Sequence, residues 1–60
     1  MKRGEAVRCT DDYDLFDLNI NGEEGCFIKL DAHSGKSLIY FWINGEWAEL
    51  KEDQFELINK

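Results

Sequence analysis

Apolar and polar residues alternate in short runs along this chain, and turn residues separate the runs. In residues 5–10, Val7 and Cys9 alternate with polar neighbours, which is the two-residue period of a half-buried strand. Residues 17–20 show the same alternation, so we expect Leu18 and Ile20 to point inward. No stretch sustains a helical period, and the pattern therefore predicts an all-β chain.

The first half of the chain adds a loop and a second strand. Residues 11–17 contain four aspartates among aromatic and aliphatic side chains, and this density of like charge predicts a loop rather than regular pairing. Asn21-Gly22 is typical of a turn. Residues 26–31 form the next predicted strand, with Cys26, Ile28 and Leu30 on one face, and residues 32–36 form a hairpin loop.

The second half begins with the most apolar run of the sequence, residues 37–43. Asn44-Gly45 follows it and predicts a tight hairpin turn. Residues 46–50 then form a strand that we expect Trp47 and Leu50 to anchor in the core. Residues 51–55 predict a single helical or 3₁₀ turn, and residues 56–58 predict a short closing strand.

About five short antiparallel strands with one 3₁₀ turn before the last strand describe a small barrel, an architecture that protects strand edges from aggregation. Sixty residues allow one domain, so residues 1–60 are interpreted as a single unit. A twisted antiparallel sheet that forms a homodimer is the alternative.

The order of these signals resembles the SH3-like fold. Gly4-Glu-Ala-Val-Arg is similar to the G-x-x-V-R opening strand of bacterial small barrels, and Asp53-Gln-Phe-Glu-Leu-Ile resembles their D-Q-L-E-x-[IV] ending. On this resemblance, residues 11–16 are the long first loop and Gly25 opens the next strand. The chain is therefore expected to form a single small SH3-like barrel.

Within that group the chain is similar in style to small accessory subunits and regulators of bacterial and cyanobacterial complexes. This resemblance implies a protein that has no active site and docks onto a larger assembly. Eukaryotic SH3 domains share the acidic first loop with Tyr13-Asp14-Leu15-Phe16. Their proline-binding groove, however, uses a proline near the 3₁₀ turn and a tyrosine in it, whereas this chain has no proline and carries Phe55 there.

The charge balance disfavours two classes of partner. Thirteen acids against seven bases give a net charge of −6, and the bases are scattered. Direct binding to nucleic acid or to an anionic membrane requires clustered cations, so neither is expected.

The longest apolar run has six residues, from Leu38 to Ile43, against about 20 for a membrane span. An apolar stretch does not follow the initial Met-Lys-Arg, and we therefore expect a cytoplasmic protein. The resemblance to bacterial small barrels and the alternative of an acidic mimic imply a bacterial or phage origin.

Several residues suggest metal or catalytic chemistry, and each also has a plainer interpretation. Residues 17–22 match the first half of an EF-hand loop, but position twelve is Ile28 instead of the bidentate glutamate. Cys9 and Cys26 are expected to be buried, reduced thiols, and His33 an exposed loop residue. We therefore expect no cofactor, no resident metal and no enzymatic activity, with weak calcium binding kept as a second alternative function.

The most informative strand has two apolar faces. Leu38, Tyr40 and Trp42 share one face, while Ile39, Phe41 and Ile43 share the other. A barrel interior hides one set, so the other either lies under the long first loop or forms an exposed patch of the kind that marks interfaces. If the first loop covers this set, Tyr13 or Phe16 would be the covering residue.

These observations predict a non-enzymatic protein-binding module that acts as an accessory subunit or small regulator. The expected contact residues are aromatic or acidic: Tyr13, Phe16, Tyr40, Trp42, Trp47, Asp12 and Asp14. The acidic loop would attract a basic protein partner at long range. The first alternative function is an acidic mimic of nucleic acid that inhibits a host protein acting on DNA or RNA.

Overall fold

The computed structural model describes residues 2–58, whose backbone forms seven strands and one 3₁₀ turn. The strands are β1 (Ala6–Cys9), β2 (Asp14–Leu15), β3 (Leu18–Asn19), β4 (Glu24–Asp31), β5 (Lys36–Phe41), β6 (Glu46–Lys51) and β7 (Phe55–Leu57). The 3₁₀ turn spans Glu52–Gln54 and directly precedes the last strand. None of these described elements is a helix long and apolar enough to cross a membrane.

Five of the strands form one antiparallel sheet in the order β6-β5-β4-β1-β7, and β2 pairs with β3 in a separate two-stranded sheet. The edge strands β6 and β7 are joined by the 3₁₀ turn, which contacts both. The predicted fold class is confirmed: the chain is an all-β small barrel with five main antiparallel strands and a 3₁₀ turn before the last of them.

The core forms where the inward positions of the strands meet. Phe27, Ile39 and Ala48 are register partners across β4, β5 and β6, and all three are buried. Val7 and Cys9 of β1 are fully buried, as their alternation predicted. Burial of such side chains stabilises the fold by about 1.5–3 kcal/mol for each large aliphatic or aromatic residue. The remaining buried apolar residues are Leu15, Ile20, Phe41, Leu50 and Phe55.

Gly25 lies at a close contact between the paired strands β4 and β5. A Cβ atom added there would overlap the backbone carbonyl of Tyr40, so only glycine allows the two strands to pair at this point. Gly25 pairs with Val7 on one side and with Phe41 on the other. This glycine therefore permits a close strand contact beside the core. The strand β4 begins one residue before it, at Glu24, rather than at Cys26 as predicted.

The first loop contains more regular structure than predicted. Residues 11–17 were expected to form a loop and residues 17–20 a strand, but the backbone forms a small hairpin from β2 and β3. Leu15 is buried, and Tyr13 and Leu18 pack against the core. Apolar contacts thus offset the repulsion among the aspartates and hold the hairpin on the barrel.

Two predictions about strand faces were wrong. Trp47 does not anchor β6 in the core. Leu50 lies on the inward face together with Ala48, and Trp47, three residues before Leu50, therefore points to the opposite face. Cys26 and Leu30 do not share a face either, because a β-bulge between Phe27 and Lys29 reverses the alternation.

Candidate functional site

Tyr40 and Trp47 lie on the outer face of the sheet, opposite the buried row. Cys26, Tyr40 and Trp47 are register partners across β4, β5 and β6, and they alternate with the buried row of Phe27, Ile39 and Ala48. Trp47 is 51% exposed, and Tyr40 is half-buried. The structure thus answers the question of the two apolar faces of residues 37–43: the outward set stays at the surface.

The two rings of this row are held against each other. Tyr40 and Trp47 contact edge to face, with ring centroids 5.2 Å apart and planes inclined by 67°. The Tyr40 hydroxyl lies beside Gly45 in the turn between β5 and β6. This arrangement fixes the orientation of the half-exposed indole, which lowers the conformational entropy that a binding partner would have to remove.

The turn between β5 and β6 presents two further apolar side chains. It spans residues 42–45, and the amide of Gly45 donates to the carbonyl of Phe41 over 3.0 Å. β5 therefore ends at Phe41 instead of at Ile43 as predicted, and Trp42 and Ile43 are 54% and 52% exposed. The exposure of Ile43 was not predicted, because a two-residue Asn-Gly turn would have kept this residue in the strand.

Phe16 forms the tip of the β2–β3 hairpin in an unfavourable backbone conformation. Phe16 and Asp17 have φ angles of 51° and 67°, and Leu15 and Leu18 pair on either side of them. A two-residue turn of this shape prefers Asn-Gly, and a bulky residue in the left-handed region costs about 1–2 kcal/mol. Phe16 nevertheless is 73% exposed, so its ring gains little from burial.

A hydrogen bond joins the two hairpin tips. The side-chain amide nitrogen of Asn44 donates to the backbone carbonyl of Leu15 over 3.4 Å. The side-chain oxygen of Asn44 accepts from the backbone amide of Glu46 at 3.2 Å. Phe16, Trp42 and Ile43 are consequently presented at the same end of the molecule. We call Tyr40, Trp47 and these three residues the aromatic surface.

The acidic residues of the first loop are partly engaged within the loop itself. Asp12 Oδ1 accepts from the side-chain amides of Asn21 at 2.9 Å and Asn19 at 3.4 Å. Asp11 accepts from the amide of Asp12 and from the side chain of Gln54. Asp14 is exposed on β2, close in sequence to Phe16. Of the predicted contact residues, Asp12 thus stabilises the loop, Tyr13 packs on the core, and Asp14 flanks the exposed Phe16.

The segment that resembles half an EF-hand does not form one calcium loop. Residues 17–22 pass from the hairpin tip through β3 into the next turn, and the side chains of Asn19 and Asn21 face Asp12. Over residues 2–58, histidines, cysteines and carboxylates form no group of three or more that could hold a metal ion. Nothing in this geometry supports the calcium alternative, which stays a prediction.

The two cysteines differ in environment. Cys9 is fully buried, its thiol donates to the carbonyl of Asp11 over 3.1 Å, and burial raises its pKa above the ordinary value. Cys26 is only half-buried on the outer face, which corrects the expectation of two buried thiols. Both are free thiols. His33 is exposed in the β4–β5 turn, as the sequence predicted.

A shallow cleft of about 280 Å³ opens at the other end of the barrel, between the β4–β5 turn and the 3₁₀ turn. Its lining is mostly apolar, and its polar side chains are those of Ser37 and Glu52. Leu30 reaches its rim and is 59% exposed. The sequence contained no signal for this cleft, because the bulge that turns Leu30 toward it is not visible in the residue pattern.

Comparison with protein-family models, curated proteins and solved structures found no match.

Proposed function

We propose that this chain is a non-enzymatic protein-binding module that contacts its partner through the aromatic surface. The observation that carries this proposal is the exposure of Trp42, Ile43 and Trp47, three large apolar side chains within six residues of one hairpin. Single exposed apolar residues are ordinary, but grouped ones on a small protein are typical of interaction sites. Tryptophan and tyrosine are also enriched among residues that dominate binding energy.

The strained tip of the β2–β3 hairpin supports the same proposal. Phe16 adopts a left-handed conformation and exposes 73% of its surface, so the free protein bears a backbone cost while most of this side chain stays unburied. Residues held in such conformations concentrate at binding and catalytic sites. A partner that covers Phe16 would supply the burial that the isolated fold lacks.

The experiment is affinity capture from a lysate of the source organism, with the wild type and the single variants Trp42→Ala and Trp47→Ala as bait. Both side chains are half exposed, so their removal should leave the fold intact, as circular dichroism would verify. Leu57→Ala is the matched control, because Leu57 is 44% exposed on β7, outside the aromatic surface.

We expect the wild type and Leu57→Ala to retain the same protein, and each tryptophan variant to lose most of it. The proposal fails if both folded tryptophan variants capture the same protein in the same amount as the wild type. Retention that disappears in high salt and depends on the aspartates of the first loop would instead favour the mimic of nucleic acid. A captured species that is a second copy of the chain would identify the homodimer.

A further inference from the structure

Lysines share the outer face of the sheet with the aromatic row. Lys36 and Lys51 are register partners on β5 and β6, four residues along each strand from Tyr40 and Trp47. Between the lysine pair and the aromatic row lies a third row of register partners, formed by Lys29, Leu38 and Glu49. Positions an even number of residues apart on a strand point to the same side, so this face is aromatic at one end and cationic at the other.

Neither of the two opposed lysines forms an ion pair within the described residues. The ion pairs found in residues 2–58 join Arg8 to Glu24 at 3.2 Å and to Glu56 at 3.9 Å. Asp31 is the register partner of Lys36 and remains charged, but its carboxylate accepts a hydrogen bond from the amide of His33 in the β4–β5 turn at 3.0 Å and forms no ion pair with Lys36. That bond also lowers the pKa of Asp31.

Like charges directly opposite each other on neighbouring strands destabilise a sheet. An anionic group placed between Lys36 and Lys51 would remove this repulsion and form two charge-assisted hydrogen bonds.

We infer that the partner presents an extended acidic segment, with an apolar side chain on Tyr40 and Trp47 and a carboxylate between Lys36 and Lys51. This inference rests on the proposed function and adds the chemistry of the partner to it. Four residues of strand span about 13 Å, so in an extended segment the apolar residue and the carboxylate are four positions apart. Such a segment lies along the strands of the sheet.

A single carboxylate fits this face better than a nucleic acid does. Glu49 lies between the aromatic row and the lysine pair, and it would repel a continuous row of phosphates. The net charge of −6 repels every acidic partner at long range, and it repels a row of phosphates more strongly than a single carboxylate. The charge pattern therefore selects a peptide in which a neutral stretch separates the apolar residue from the acid.

The test is a selection from a displayed library of random twelve-residue peptides against the intact protein. Four baits are compared: the wild type, Lys36→Glu/Lys51→Glu, Trp47→Ala, and Lys2→Glu as a charge control remote from the sheet face. We expect the wild type and Lys2→Glu to enrich peptides with an apolar residue four positions from Asp or Glu. The double lysine variant should instead enrich Lys or Arg at that position, and Trp47→Ala should lose enrichment.

Enrichment by the wild type of peptides without an acid, or of no peptide, would overturn the inference. So would identical motifs from the wild type and the double lysine variant. If those motifs still disappear with Trp47→Ala, the protein-binding function stands and the acidic partner fails. Selected peptides are then titrated against the wild type beside a twelve-nucleotide oligothymidylate, and tighter binding of the oligonucleotide would also overturn the inference.

Discussion

The indole ring of Trp47 meets the phenol ring of Tyr40 edge to face across β5 and β6, on the side of the sheet opposite the core. The contact joins a half-exposed ring to a half-buried one, so it orders a surface residue without burying it. The aromatic surface is therefore already arranged before any partner binds.

This contact should be measurable in the stability of the fold. Edge-to-face pairs contribute about 0.5–1.5 kcal/mol beyond their area burial. We expect a double-mutant cycle of Tyr40→Leu and Trp47→Leu, followed by urea unfolding, to give a coupling free energy in this range. Strictly additive losses would show that the two rings do not interact in solution.

A substitution at the tip of the β2–β3 hairpin should raise stability and weaken binding. Replacing Phe16-Asp17 by Asn-Gly supplies the residues that a two-residue turn with two positive φ angles prefers, so the free energy of unfolding should rise by about 1–2 kcal/mol. Binding to the captured partner should weaken at the same time, because the exposed ring is gone. Phe16→Leu, which keeps the backbone cost, is the control and should not gain stability. A loss of stability in the Asn-Gly variant would contradict the observed turn.

Gly25 should be the glycine that tolerates substitution least. The Cβ of Gly25→Ala would collide with the Tyr40 backbone, which cannot yield as a flexible side chain can, and we expect a loss of about 2 kcal/mol or more. Gly35→Ala is the comparison: Gly35 has a φ angle of 75° but open space around it, so the cost should be about 1–2 kcal/mol. Urea unfolding of both variants checks the order, and equal losses would refute the close approach of β4 and β5.

The thiol of Cys9 should be inert in the folded protein. Burial raises its pKa, so the folded state holds the proton more tightly than the unfolded chain does. Stability is then unaffected below the unfolded-state pKa of about 8.5 and falls as the pH rises above it. Iodoacetamide should modify Cys26 first and Cys9 only through unfolding, as mass spectrometry of the Cys26→Ser and Cys9→Ala variants would resolve. Faster modification of Cys9 would contradict its burial.

Much of the fold could be predicted from the sequence because period-two alternation directly reflects which side chains meet the core. Val7, Cys9 and Ile20 show this, as does the 3₁₀ turn before Phe55. The bulge beside Ile28 could not be predicted, because it depends on how β4 bends against its neighbours rather than on local residue preference. The position of Trp47 was misread because a large aromatic side chain suits both a core and an interface.

The candidate site was predictable only in part. Alternation separated the face with Tyr40 from the face with Ile39 but did not show which of them points outward. The opposition of Lys36 and Lys51 depends on the register of β5 and β6. That register is set by the four-residue turn, which is longer than the two-residue turn that Asn44-Gly45 predicts. Likewise, the exposure of Phe16 follows from a hairpin within a segment whose aspartates predicted a loop.

The most direct test of the aromatic surface is the dissociation constant of the captured partner, measured by isothermal titration calorimetry with purified proteins. Truncation of an anchoring tryptophan costs about 2 kcal/mol or more, so Trp47→Ala should bind at least tenfold more weakly than the wild type. Leu57→Ala should bind within twofold of the wild type. Equal dissociation constants for the wild type and a fully folded Trp47→Ala would contradict the account.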